Sequence, residues 1–114
     1  MWDDGENRFA FSCGPGSRKA RNLSANAHAA IMTEDTVECL SLEGHAAPVH
    51  DTGRQDLWIE RYLAKYRSMS AGLSAEFIRQ NLTVEFVPER AFAVIEREDE
   101  FATRATRWVF DRRP

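Results

Sequence analysis

The chain has 114 residues, 43% of them hydrophobic and 29% charged, which is the composition of one folded domain spanning residues 1–114 and excludes a disordered or fibrous chain. Fifteen Lys and Arg against 18 Asp and Glu leave a net charge of −3, which argues against a protein drawn electrostatically onto nucleic acid. The unbroken apolar runs, such as Ala91-Phe92-Ala93-Val94-Ile95, fall far short of the ~20 residues of a membrane span.

Asp3-Asp4-Gly5-Glu6-Asn7 is a strong turn signal. Residues 8–13 alternate as a strand, with Phe9, Phe11 and Cys13 on one face. Met1 and Trp2 alone precede the turn, too few for a strand, so the first arm of this hairpin is expected to be nearly absent and the N-terminus shortened. Gly14-Pro15-Gly16 breaks the strand, and Ser17 is a good N-cap for a helix over residues 18–25 that stops at Asn26.

Residues 27–33 and 36–46 read as a hairpin turning at Glu34-Asp35, and a loop covers 48–53. Thr52-Gly53-Arg54-Gln55 resembles a capping box for a helix over 54–67, with Leu57, Trp58, Arg61, Tyr62 and Lys65 on one side. A loop over 68–73 and a short helix over 74–80 follow. Strands are expected over 81–87 and 89–96 with Pro88 as a kink or bulge, then a charged loop to Glu100, a strand over 103–110 and a polar tail. Five or six strands with two or three inserted helices suggest an α+β fold on a small antiparallel barrel.

Chemistry concentrates in Ser12-Cys13-Gly14-Pro15-Gly16-Ser17-Arg18-Lys19-Ala20-Arg21-Asn22-Leu23. Cations in the first turn of a helix oppose its macrodipole at a cost of ~0.3–1 kcal/mol each. The placement makes sense if an anion sits there, gripped by free backbone N–H groups, the Ser17 hydroxyl, Arg18 and Lys19, with Asn22 one turn further on. The plainer alternative is a solvated basic face paired with nearby carboxylates. Neither a Walker loop nor the Rossmann glycine pattern is present.

This stretch resembles the signature of the pyridoxamine 5′-phosphate oxidase-like family, the flavin- and deazaflavin-binding split β-barrels. Leu42-Glu43-Gly44-His45-Ala46 resembles the strand that follows, which commonly ends in Glu-Gly. Residues 57–66 resemble the family's excursion helix, and Thr106-Arg107-Trp108 its closing strand. The resemblance implies a homodimeric split β-barrel holding FMN or coenzyme F-420, a deazaflavin, in a groove between subunits. Ser12, Cys13, Ser17, Arg18, Lys19 and Asn22 would hold its phosphate and ribityl end. Arg107 and Trp108 would lie near the ring or substrate, across the dimer interface. The implied activity is hydride transfer to or from a small organic substrate; the alternative is a non-catalytic cofactor-binding or dimerisation module. Cys13 stands where the family commonly has Thr, Cys39 stands where the oxidases carry a polar ring contact, and the family's first helix and strand pair have no counterpart here. A generic reductase is therefore expected over a true pyridoxamine-phosphate oxidase.

Other signals are weak. His28, His45 and His50 have no zinc spacing, no G-x-S-x-G elbow is present, and Asn22-Leu23-Ser24 and Asn81-Leu82-Thr83 match the glycosylation sequon by chance. Trp2, Trp58 and Trp108 read as core or interface residues. Two cysteines without a C-x-x-C motif read as free thiols, and with no apolar leader at the N-terminus a soluble, cytoplasmic protein is expected.

Overall fold

A computed structural model of the protein describes residues 1–35, 37–69 and 72–110. Thr36, where the second hairpin arm was expected to begin, Ser70 and Ala71 of the expected loop, and the tail 111–114 lie outside the described residues. Among the described residues six strands form one antiparallel sheet: β1 (Trp2–Asp3), β2 (Arg8–Cys13), β3 (His28–Met32), β4 (Glu38–Pro48), β5 (Leu82–Ile95) and β6 (Thr106–Val109). Among the described residues four α-helices are inserted: α1 (Arg18–Ala25), α2 (Thr52–Tyr66), α3 (Ala75–Arg79) and the single turn α4 (Phe101–Arg104).

The strand order is β1-β2-β5-β4-β3, and β6 also pairs with β5. β4 runs along nearly the whole of one edge of β5, from Glu38 opposite Ile95 to Pro48 opposite Val84. The other edge is shared. β2 takes residues 82–86, and β6 takes residues 90–93. The sheet is therefore split at Val87-Pro88-Glu89, as expected of an α+β split barrel.

Alternation of apolar residues places the core on one face. Phe9 lies opposite Phe86, Phe11 opposite Val84, and Cys13 opposite Leu82. Leu42, Ala46, Val84, Phe86 and Ala91 form the buried centre, with Phe9, Phe11 and Cys13 packed against it. Phe86 and Ala91 are five residues apart and would face opposite ways on a regular strand. They share the core because the register slips between Glu43 and Gly44, which lie opposite Arg90 and Pro88 and leave Glu89 as the extra residue. The two strands expected around Pro88 are thus one bulged strand. The slip also explains Gly44, which does not end β4 but lies within it. A Cβ there would sit 2.1 Å from the Val87 carbonyl oxygen and 2.8 Å from Pro88 Cα.

Helix α2 lies on the opposite face. It buries Trp58, Ile59 and Leu63, and Ile59 and Leu63 cluster with Ile78 of α3. The apolar side is rotated from the expected one: Lys65 is exposed, and Ile59 and Leu63 point inward. The cap also differs. Asp51 accepts the Arg54 N–H at 2.8 Å, so the cap falls one residue before the expected box and the helix starts at Thr52, two residues earlier than expected. Ser17 and Ser74 cap α1 and α3 as their sequences suggest.

Charge fixes α2 to the sheet. The Glu85 carboxylate accepts from Trp58 Nε1 at 2.6 Å, Arg8 at 3.0 Å and Arg54 Nε, and Arg54 also pairs with Glu6. Arg61 reaches Asp3 at 2.9 Å. The guanidinium carbons of Arg54 and Arg61 each lie 5.4 Å from the Trp58 ring centre. Burial alone would raise the Glu85 carboxyl, but hydrogen bonds from Trp58, Arg54 and Arg8 outweigh it and hold the carboxyl below its ordinary value.

Two expectations are corrected at the ends. Trp2 and Asp3 do pair with Phe9 and Arg8, so a two-residue first arm exists. The turn it makes brings Asn7 to φ 53°, a conformation Asn tolerates well. The last strand begins at Thr106 rather than 103, because residues 101–104 form a helical turn in which Glu100 pairs with Arg104 at 3.1 Å.

Two outcomes follow from this packing. Gly44→Ala should cost more than about 2 kcal/mol in denaturant unfolding, because backbone rather than a movable side chain meets the new methyl. Gly16→Ala, with nothing within 4 Å, should change stability by less than about 0.5 kcal/mol. Because the Glu85 carboxyl is lowered in the fold, its contribution is complete above the unfolded value of about 4.3 and disappears as pH falls through the folded value. Acid unfolding monitored by circular dichroism should therefore be shallower in Glu85→Gln than in the native chain. Parallel acid limbs would show that Glu85 is not the linked group.

Candidate phosphate site at the amino end of α1

The strand–loop–helix segment is built by local forces. Ser17 N–H donates to the Gly14 carbonyl at 3.0 Å, which closes the glycine loop, and Ser17 Oγ accepts from Ala20 N–H at 3.2 Å. With that oxygen used as an acceptor, the Ser17 hydroxyl hydrogen is free to donate. The N–H groups of Arg18 and Lys19 have no partner inside the helix, as in any first turn. The first turn holds no acidic residue.

Arg18, Lys19, Arg21 and Asn22 are all exposed. Among the described residues no carboxylate pairs with Arg18, Lys19 or Arg21, although ten ion pairs form elsewhere. The paired-face alternative thus finds no support. Lys19 Nζ lies 5.5 Å from the centre of the Phe11 ring, which steers its stem back over β2. Arg18, Lys19 and Asn22 are spaced to share one side of α1. Free N–H groups, a hydroxyl donor, a guanidinium and an ammonium form a donor set that fits a phosphate.

Ser12 and Cys13 precede the loop, but successive strand residues point to opposite faces. Cys13 packs against the apolar core, and Ser12, which is exposed, lies on the α2 side of the sheet near Trp58, Tyr62 and Thr83. One of these side chains at most can face a ligand at α1.

Arg107 and Trp108 are exposed on β6. Cys13 lies opposite Leu82 and Arg107 opposite Phe92, so ten residues of β5 separate the two groups. At ~3.3 Å per residue that is roughly 30 Å. Arg107 and Trp108 thus lie at the other end of β5 from the strand that leads into α1.

A cleft of about 860 Å³ opens instead at the split in the sheet. It is lined by the turn 5–8, by Val87, Pro88 and Glu89 of the bulge, by Val109 and Phe110 after the closing strand, and by His45. Glu89 carries no functional signal in the sequence, and His45 stands there only in the Glu-Gly strand and among histidines without zinc spacing. Pro88 inside a strand was the one local sign of this feature. Among the described residues no cluster of three or more His, Cys, Asp or Glu side chains is placed to hold a metal, and no helix is long and apolar enough to cross a membrane.

Comparison with known proteins supplies the family. The family model described as pyridoxamine 5′-phosphate oxidase matches residues 1–95. Among solved structures the chain is similar to a Clostridium acetobutylicum protein related to general stress protein 26 of B. subtilis, of the pyridoxinephosphate oxidase family, at 16% identity and TM-score 0.61, covering 94% of this chain and 69% of that one. It is similar to a protein of unknown function from Agrobacterium tumefaciens at 17% identity and TM-score 0.61, covering 90% of this chain and 45% of that one. It is also similar to PhzG from Burkholderia lata, solved in complex with tetrahydrophenazine-1-carboxylic acid, at 18% identity and TM-score 0.60, covering 97% of this chain and 66% of that one. A comparison with curated proteins finds no match. At these identities the structures establish a shared fold, and the family model, which takes in most of the chain, establishes descent: the chain belongs to the pyridoxamine 5′-phosphate oxidase family, a family of flavin-related oxidoreductases.

Proposed function

We propose that the 114 residues act as one split-barrel domain that binds FMN or the deazaflavin coenzyme F-420 and serves hydride transfer to or from a small organic substrate. The observation that carries the reading is the amino end of α1, where Arg18 and Lys19 stand exposed and without carboxylate partners among the described residues, beside open backbone N–H groups. Arg18 would grip the phosphate as a planar fork and Lys19 as a point charge, with Ser17 and Asn22 completing the cradle. Ser12 and Cys13 would contribute through their backbone or one side chain. When bound, the cofactor supplies the two-electron chemistry, while the protein orients it and sets the polarity around it.

The reading includes a homodimer. The roughly 30 Å along β5 between Cys13, which leads into α1, and Arg107 supports a reading in which Arg107 and Trp108 serve the ligand of a second copy. The half of the sheet beyond α2 also leaves apolar side chains uncovered: Met32 is 64% exposed, Trp108 45% and Val109 71%. Cys13 and Cys39 are free thiols, in keeping with a cytoplasmic location. A non-catalytic cofactor-binding module is the second reading. It is favoured by the position of the cleft, whose lining includes neither α1 nor Arg107 and Trp108.

FMN and the deazaflavin, titrated separately and followed by absorbance and fluorescence, should show which cofactor binds. Arg18→Ala with Lys19→Ala should weaken that binding by about 3 kcal/mol or more, over 100-fold, from two charge-assisted contacts of roughly 1.5–3 kcal/mol each. Unchanged affinity in the double variant rejects the phosphate site. Sedimentation should show a dimer, and Trp108→Glu should raise its dissociation constant at least about tenfold, since a charge would replace a desolvated aromatic. A native monomer at micromolar concentration rejects the shared site and favours the second reading.

A further inference from the structure

His28, the first residue of β3, lies directly opposite His45 of β4. In an antiparallel pair, opposed residues alternate between hydrogen-bonded sites and closer, non-bonded ones. Ala46 N–H donates to the Ala27 carbonyl at 2.8 Å and Thr33 N–H to the Leu40 carbonyl at 2.9 Å, so both of these pairs are bonded sites. Counting by twos between them puts His28 and His45 at a non-bonded site, where side chains come nearest. The His28 N–H accordingly turns away from β4 and donates to Asn26 Oδ1 at 3.1 Å. The two imidazole rings meet with centroids 4.2 Å apart and planes inclined at 46°.

That arrangement is close to what one metal ion asks of two imidazoles. With metal–nitrogen bonds of ~2.0–2.1 Å at a tetrahedral or octahedral angle, ring centres stand roughly 4.5–5 Å apart, so the rings need to part by about 1 Å or less. Both are within reach of solvent: His28 is exposed, and the His45 side chain is 43% exposed. The charges nearby suit a cation. Oε1 of Glu89 lies within ion-pair distance of Nδ1 of His45, and the Arg90 guanidinium is held by Glu43. The next residue on this face of β3 is Ala30, opposite Glu43 and too small to crowd the pair.

We propose that His28 and His45 form a two-imidazole site for a divalent transition-metal ion of the zinc, copper and nickel group. Imidazole nitrogen suits these ions, whereas Mg²⁺ and Ca²⁺ take oxygen ligands. Each ring gives one nitrogen and water fills the remaining positions, since among the described residues no group of three His, Cys, Asp or Glu side chains is placed to hold an ion. The bound ion ties the first residue of the edge strand β3 to β4. Spacing along the chain hides the site, because register alone brings the two histidines together. It is distinct from the cradle at α1 and needs no flavin.

The test uses the whole chain, free of affinity tag, chelator and cofactor. Zn²⁺ titrated by calorimetry should bind at one equivalent with a micromolar dissociation constant, and Mg²⁺ should not bind. His28→Ala and His45→Ala should each weaken Zn²⁺ binding at least about tenfold, while His50→Ala should leave it unchanged, with circular dichroism confirming the fold of each. In ¹³C–¹H spectra the ring signals of His28 and His45 should shift together and that of His50 should stay. Zn²⁺ should also raise the thermal unfolding midpoint of the native chain and not that of His28→Ala. Equal Zn²⁺ affinity in the native chain and both variants, which is what ligation by Cys13 or Cys39 would give, overturns the proposal. So does a shift confined to His50, or no binding at micromolar concentration. Because no flavin is present, failure here leaves the α1 reading standing, and failure of the α1 variants leaves this one standing.

Discussion

β5 runs for 14 residues through the middle of the sheet, and its pairing with β4 slips by one residue between Glu43 and Gly44. That slip is the constraint on which the rest depends. It lets Phe86 and Ala91 face the same core, although an unbroken alternation would turn one of them outward. It brings two backbones so close that position 44 has no room for a side chain. It also falls where β2 has ended and β6 has not begun, so the open edge of β5 is at its widest beside the bulge. Core, split and cleft share one cause.

The two faces of the sheet are held by different means. The inner face is apolar, and its stability scales with area removed from water. The outer face carries α2, fixed by Glu85 accepting from Trp58, Arg54 and Arg8 at once. Such a carboxylate contributes only while every donor is in place, since a lone buried charge is costly. This clamp covers one half of the sheet. The other half, with Met32, Trp108 and Val109, stays uncovered in the single chain. Apolar area of that kind is one of the two observations behind the proposed homodimer.

The features legible in the sequence were those set by near neighbours in the chain. β2 was legible because Phe9, Phe11 and Cys13 alternate, α1 and α3 because Ser17 and Ser74 cap them, and the cations of α1 because they oppose the dipole. Asp51 and Thr52 are both able to cap α2, so the local pattern could not choose between them. In the fold Asp51 takes the Arg54 N–H, while the Arg54 side chain is bound to Glu85 and Glu6. Pro88 suggested two strands because a missing N–H interrupts a ladder. Pairing with β4 carried the strand through, since Pro88 sits at the register slip, where the ladder is already interrupted.

Taken alone, the sequence pointed to the family and the α+β split barrel through its resemblance, and placed Arg18, Lys19 and Arg21 in a helix start without acidic residues, because that placement is written in short-range spacing. The tertiary structure decided what lies near what. It turned Ser12 and Cys13 to opposite faces, set Arg107 and Trp108 roughly 30 Å from Lys19's end of β5, and joined His45 to Glu89, 44 positions apart in the chain. The physical reason is register: which residues face each other across a sheet is fixed by where a bulge falls and which strand takes each half of an edge, and no local pattern encodes either.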